Sequence, residues 1–179
     1  MYGLIAAFDQ TTESFIKNVW KELKEKSISS YAYEVEDRIP HITLASYNQL
    51  NRRDFFDQMD ETYRYQSVID VNFKSIGSFL KSGALYYSPT VTKGLYELHS
   101  NHHKDFERFQ DDPNSLYLPD HWIPHCTIAN RLSQEKLQEA FHYCSKRHSA
   151  LFGKIVKVAL IEVTEKHTAP IIYSKKLIE

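Results

Sequence analysis

The sequence contains little glycine. Only five glycines occur in 179 residues, and their spacing forms neither GxGxxG, nor a P-loop, nor GxSxG. These motifs require glycine because the backbone must turn sharply or approach a phosphate group closely. Their absence excludes Rossmann-type dinucleotide enzymes, Walker-type nucleotide hydrolases and serine hydrolases with a nucleophile elbow.

Cysteine is equally scarce. Cys126 and Cys144 are too few for a disulfide framework or for a four-ligand zinc site. Free thiols are typical of the reducing cytoplasm, so a cytoplasmic location is expected. The N-terminal MYGLIAAFDQ has no basic start and no small-residue cleavage site, so it predicts a first strand rather than a signal peptide.

Long apolar runs and an excess of either charge are also missing. No run approaches the roughly 18 to 20 apolar residues that cross a bilayer, so no membrane partner is expected. With 22 Lys and Arg against 23 Asp and Glu, the formal net charge is −1. This balance disfavours broad coating of nucleic acid but leaves room for one local phosphate pocket. The composition, 42% hydrophobic and 25% charged, is that of a globular protein, which we expect to be a monomer.

The sequence does contain an internal repeat. Ile-Pro-His-Ile-Thr-Leu-Ala at residues 39–45 (the first motif) matches Ile-Pro-His-Cys-Thr-Ile-Ala at residues 123–129 (the second motif) at five of seven positions. After each motif the patterns predict a capped helix, a long strand and a short strand, at offsets of 84 to 86 residues. Before the first motif, Thr11 or Thr12 is predicted to cap the first helix.

The repeated order of elements predicts an α+β fold. The strands are too closely spaced for every connection to be a crossover helix, which favours antiparallel pairing. We therefore expect residues 1–179 to form one bilobal domain, with two lobes related by a pseudo-twofold axis. Each lobe would be an antiparallel sheet flanked by helices, and the groove between the lobes would hold the active site.

Strand alternation places chemical groups in that groove. His41 and Thr43 should share one face of the first motif strand, and His125 and Thr127 one face of the second. Two imidazoles across a groove suit in-line displacement at phosphorus, because one can accept a proton while the other donates one. The unperturbed pKa of histidine, about 6.5, suits both tasks. Threonine hydroxyls can donate hydrogen bonds to the phosphoryl oxygens, where charge develops. This arrangement requires neither a metal ion nor another cofactor.

The paired His-x-Thr motifs resemble those of the two-histidine phosphoesterase superfamily, and the chain is similar to bacterial 2′-5′ RNA ligases and cyclic nucleotide phosphodiesterases of RNA processing. The resemblance implies metal-independent chemistry on 2′,3′-cyclic or 2′-5′ phosphodiesters of RNA ends or small nucleotides, with reverse ligation also open. It implies catalytic roles for His41, Thr43, His125 and Thr127, with the first histidine as the acid and the second as the base. The pseudo-twofold leaves these two roles exchangeable.

Other interpretations remain open. Tyr47 and Arg131 fall on the histidine faces, where they would stack on a base and hold a phosphate, or serve only as a core aromatic and a rim residue. A helical cluster of His99, His102 and His103 suggests a metal site, although no HExxH pattern or nearby cysteine supports one. A non-catalytic module that binds a nucleotide or an RNA end in the same groove is the alternative to an enzyme.

Overall fold

The computed structural model describes residues 1–147, 150–164 and 168–179. Within these ranges the chain forms seven β-strands and four α-helices. The strands are β1 (Tyr2–Phe8), β2 (His41–Tyr47), β3 (Ile69–Gly77), β4 (Leu85–Pro89), β5 (Cys126–Ala129), β6 (Leu151–Glu162) and β7 (Ile171–Lys176). The helices are α1 (Gln10–Glu25), α2 (Arg52–Thr62), α3 (Lys93–Asp105) and α4 (Gln134–Arg147).

The first helix begins two or three residues earlier than the threonine signal predicted. Its N-cap is Asp9, whose carboxylate accepts a hydrogen bond from the Thr12 backbone N–H at 3.0 Å. A carboxylate at this position also interacts favourably with the positive end of the helix dipole. The predicted cap at Thr11 or Thr12 is therefore wrong, and Thr12 lies buried inside the first turn.

The strands pair antiparallel in one sheet with the order β2-β1-β6-β3-β4-β5, and β7 pairs with β6. The predicted α+β fold with antiparallel pairing is confirmed. The two predicted half-sheets are continuous through β6, whose first residues pair with β3 and whose later residues pair with β1. The motif strands β2 and β5 are consequently the two edges of this order.

The two faces of the sheet differ. Buried residues of all four helices belong to one large hydrophobic cluster that includes Leu4, Val158 and Leu160 of the sheet. Ile5, Ala159 and Ile161 alternate with those strand residues and form a second, smaller cluster, against which loop residues Val35 and Ile39 pack. The helices therefore cover one face, and the opposite face carries a thin apolar layer beside the first motif.

The alternation of β2 is interrupted by a β-bulge. Leu4 pairs with Ala45 and Ile5 with Thr43, so Leu44 has no partner on β1. Beyond the bulge, Tyr47 faces the large core and is buried, whereas Ser46 lies on the side of His41 and Thr43. No helix within the described ranges is both long and apolar enough to span a membrane.

Candidate active site

The two motif histidines have the same local hydrogen bonding. Nδ1 of His41 lies 2.6 Å from the Ile39 carbonyl oxygen, and Nδ1 of His125 lies 2.7 Å from that of Ile123. A carbonyl oxygen only accepts, so each Nδ1 carries a proton and donates it, which leaves Nε2 as the reactive nitrogen of each ring. The intervening prolines favour extended backbone at the preceding isoleucines.

Burial favours the neutral form of both imidazoles in the free protein. It is the largest cause that lowers the pKa of His41 to about 4, and the positive charge of Arg38 and the nearby His125 act in the same direction. Burial also lowers the pKa of His125, whose ring contacts the rings of Phe79 and Tyr86 at centroid distances of 4.8 and 5.2 Å. β2 and β5 contact each other, although they stand at opposite ends of the strand order.

The backbones of the motif threonines are held by tryptophans. The indole N–H of Trp122 donates to the Thr43 carbonyl at 2.9 Å, and that of Trp20 donates to the Thr127 carbonyl at 3.3 Å. Trp122 immediately precedes the second motif but binds the first, and Trp20 on α1 binds the second. Each motif strand is therefore fixed by a group from elsewhere in the chain.

The threonine hydroxyls are paired with phenols in the same crossed manner. The Thr43 hydroxyl lies beside the phenol of Tyr117, in the loop before the second motif, and the Thr127 hydroxyl lies beside that of Tyr31, in the loop before the first motif. Burial raises the pKa of both phenols, so they remain protonated. A hydroxyl pair can bond in either direction, and the arrangement in which the phenol donates leaves the threonine O–H available to a ligand in the groove.

A cavity of about 300 Å³ opens beside the first motif. Its polar lining includes His41, Thr43, Arg38 and the two phenols, and part of its wall is the smaller apolar cluster. This volume is at the lower end of the range for small-molecule sites.

Two predicted site residues are placed elsewhere. The bulge turns Tyr47 into the core, where its hydroxyl lies 2.6 Å from Nε2 of His102, so it is not on the histidine face. Arg131 follows the end of β5 with a positive φ of 56°, so strand alternation no longer applies, and it is paired with Glu34. Arg131 does not line the cavity, and neither do His125 and Thr127 of the second motif.

The histidines of α3 are bound to protein atoms. Nε2 of His99 lies 2.7 Å from the Tyr117 carbonyl oxygen, and Nε2 of His103 lies 3.1 Å from that of Leu44. His102 lies between the hydroxyls of Tyr47 and Tyr63. Across residues 1–147, 150–164 and 168–179, no group of three or more His, Cys, Asp or Glu side chains is arranged to hold a metal ion.

Cys126 points inward, as the alternation predicted, and is buried. Burial raises the pKa of its thiol to about 12, so it is not a thiolate near neutral pH.

Sequence analysis missed Arg38, Trp20, Trp122 and the two phenols. A signal was present for two of them, since Arg38 and Trp122 occupy the same position, directly before Ile-Pro-His, in the two motifs.

The model of the 2′-5′ RNA ligase superfamily matches residues 12–167 of the chain. No curated protein sequence matches this chain. Apo LigT of E. coli aligns with a TM-score of 0.67 at 11% identity, covering 99% of this chain and 97% of that one. LigT complexed with 3′-AMP aligns with a TM-score of 0.62 at 11% identity, covering 99% of this chain and 98% of that one. A protein of Thermus thermophilus aligns with a TM-score of 0.64 at 12% identity, covering 98% of this chain and 97% of that one. At these identities the similarity shows a shared fold.

Proposed function

Because the chain belongs to the 2′-5′ RNA ligase superfamily, we propose that it is a phosphodiesterase acting without a metal ion on 2′,3′-cyclic or 2′-5′ phosphodiesters of RNA ends or small nucleotides. The observation that carries the proposal is the matched pair of Nδ1 hydrogen bonds, which leaves Nε2 of His41 and of His125 as the reactive nitrogens. Crystal structures of LigT complexed with 3′-AMP, NADP⁺ and ATP support nucleotide binding by this fold.

The reaction is an in-line displacement at phosphorus. One neutral imidazole takes the proton of the attacking water or ribose hydroxyl as the new P–O bond forms. The other, protonated when the phosphodiester binds, gives its proton to the leaving ribose oxygen as the old P–O bond breaks. Thr43 and Thr127 donate hydrogen bonds to the non-bridging oxygens. The same groups would catalyse the reverse reaction, ligation.

The test is a turnover screen in the presence of EDTA, with nucleoside 2′,3′-cyclic phosphates, 2′-5′ dinucleotides and ADP-ribose 1″,2″-cyclic phosphate. His41→Ala and His125→Ala should each lower kcat by about 10² to 10⁴, as for a lost general acid or base. His121→Ala is the matched control, because this histidine is exposed in the loop before the second motif. A substrate turned over at full rate by either motif variant would disprove the assignment.

The screen also separates an enzyme from a binding module. A module would bind nucleotide at equilibrium, retain binding in both histidine variants and turn over none of these diesters. That result would replace the proposed activity.

A further inference from the structure

The two halves of the site differ at one corresponding position. Arg38 precedes the first Ile-Pro-His and Trp122 precedes the second. One guanidinium nitrogen of Arg38 donates to the Tyr31 carbonyl at 2.8 Å, and the guanidinium carbon lies 3.8 Å from the centroid of the Tyr31 ring. These contacts hold a cation in the wall of the cavity beside His41. The bond to Tyr31 uses only one of five N–H donors, and Arg38 makes no other hydrogen bond or ion pair within the described ranges.

The second half has no cation at this position. The Trp122 indole stacks on His99 with ring centroids 3.8 Å apart and donates to the Thr43 carbonyl. Around His125 the contacting rings are uncharged. Arg131, the nearest cation along the second motif strand, is paired with Glu34.

The positive charge therefore acts unequally on the two imidazoles. Arg38 lowers the pKa of His41 beyond the effect of burial, whereas no cation contributes at His125. Two sets of other titratable groups face His41. The cavity wall contributes the Asp37 carboxylate and the phenols of Tyr31 and Tyr117. The second motif contributes His125 and the neutral thiol of Cys126. When a bound phosphodiester anion favours the uptake of one proton from solvent by the two imidazoles, His125 is the acceptor that no cation opposes.

Given the proposed phosphodiesterase activity, we infer that Arg38 binds a non-bridging oxygen of the phosphodiester on the His41 side, making His41 the general base and His125 the general acid. His41 takes the proton of the attacking oxygen as its bond to phosphorus forms. The leaving oxygen departs with the proton of His125. This assignment is the reverse of the one that the family resemblance implies.

The first test compares Arg38→Gln with Arg53→Gln, an equal charge change at an exposed position on α2. Loss of a charge-assisted hydrogen bond should raise KM about 10- to 100-fold in Arg38→Gln only. The fall of kcat/KM towards low pH should move to higher pH, because the pKa of His41 rises when the cation is removed. Arg38→Lys should keep the wild-type pH profile and show a smaller rise in KM than Arg38→Gln. A role of Arg38 limited to supporting Tyr31 would not produce this pattern. Identical behaviour of the two glutamine variants would overturn the inference.

The second test identifies the acid. An aryl phosphodiester that releases nitrophenolate needs little protonation of its leaving group. It should therefore restore much of the activity of His125→Ala and little of that of His41→Ala. The opposite pattern of rescue would show that His41 is the acid.

A third measurement does not depend on turnover. NMR titration of the His41 ring, with inorganic phosphate as the probe, should show a higher pKa and weaker phosphate binding in Arg38→Gln than in Arg53→Gln. A wild-type protein that turns over no diester would refute the proposed function, while this comparison would still decide whether Arg38 binds the anion. Unchanged phosphate binding and an unchanged titration would refute the role of Arg38.

Discussion

The hydroxyl of each motif threonine lies beside a phenol from a distant loop. Tyr117→Phe and Tyr31→Phe remove only the phenol hydroxyl beside Thr43 and Thr127 respectively. We expect kcat to fall about 3- to 10-fold in each variant, since one neutral hydrogen bond contributes about 0.5 to 1.5 kcal/mol. Thr43→Val should lower kcat further, by up to about 10³. Steady-state kinetics check this, with the exposed Tyr65→Phe as control; an undiminished kcat in both phenol variants would contradict it.

The pH dependence of activity is set by two residues, His41 and His125. One imidazole must be neutral and the other protonated, so kcat/KM should pass through a maximum between two macroscopic pKa values. Both histidine pKa values are lowered from 6.5 in the free protein, to about 4 at His41. The maximum of kcat/KM should therefore lie on the acid side of pH 6.5.

Bound phosphodiester favours the charged imidazole, so the kcat profile should lie at higher pH than that of kcat/KM. EDTA should leave both curves unchanged. A monotonic rise with pH that requires Mg²⁺ or Mn²⁺ would indicate metal-hydroxide chemistry instead.

At the scale of elements, α3 acts as a support for the site. Through His99 and His103 it binds the carbonyls of Tyr117 and Leu44, and through His102 it binds the buried phenols behind β2. Burial lowers the pKa of all three histidines, to about 4 at His99. They are thus held neutral while their unfolded counterparts still titrate near 6.5.

This predicts a loss of stability in acid. Between pH 6.5 and about 4 the unfolded chain binds protons that the folded chain excludes, so stability is complete above that window and falls as the pH decreases through it. The free energy of unfolding, measured with urea at pH 7.5 and 4.5, should drop by about 2 to 3 kcal/mol through His99 alone, and His102 and His103 should act in the same direction. His102→Gln should lower the stability at pH 7.5 but show a smaller difference between the two pH values. An unchanged pH dependence in that variant would contradict the explanation.

The sequence predicts those features of the fold and the site that depend on local patterns, and not those that depend on contacts between distant segments. The repeated motif predicted the antiparallel α+β fold and placed His41, Thr43 and Thr127 on strands, with His125 one residue before β5, because side-chain alternation is a local property. The inward face of Tyr47 depends on a bulge that arises where β2 pairs with β1, and no local pattern reports that pairing. The position of Arg131 depends on where β5 ends. Tyr31 begins a single 3₁₀ turn and Tyr117 lies in a loop, and the path of both segments is fixed by tertiary contacts.

At the scale of the whole molecule, β6 joins the two halves of the sheet, and its contact with α1 requires glycine. A Cβ on Gly153 would lie 1.8 Å from the Thr12 hydroxyl and 3.0 Å from the Asp9 carboxylate. That carboxylate both caps α1 and accepts the Lys154 backbone N–H at 2.7 Å. Gly153→Ala should therefore destabilise the protein by about 1 to 3 kcal/mol in urea unfolding. Phe152→Ala, an exposed neighbour on the same strand, should have little effect; equal losses would contradict the steric argument.

The position of the motif strands at the two edges of the sheet order has a consequence for solubility. An edge strand with free carbonyls is a template on which another chain can add a strand, the first step towards aggregation. Here the Thr43 carbonyl is occupied by Trp122, the Leu44 carbonyl by His103 and the Thr127 carbonyl by Trp20. The side chains that position the candidate catalytic groups thus also occupy carbonyls that an added strand would need, so the same residues order the groove and protect the sheet edges.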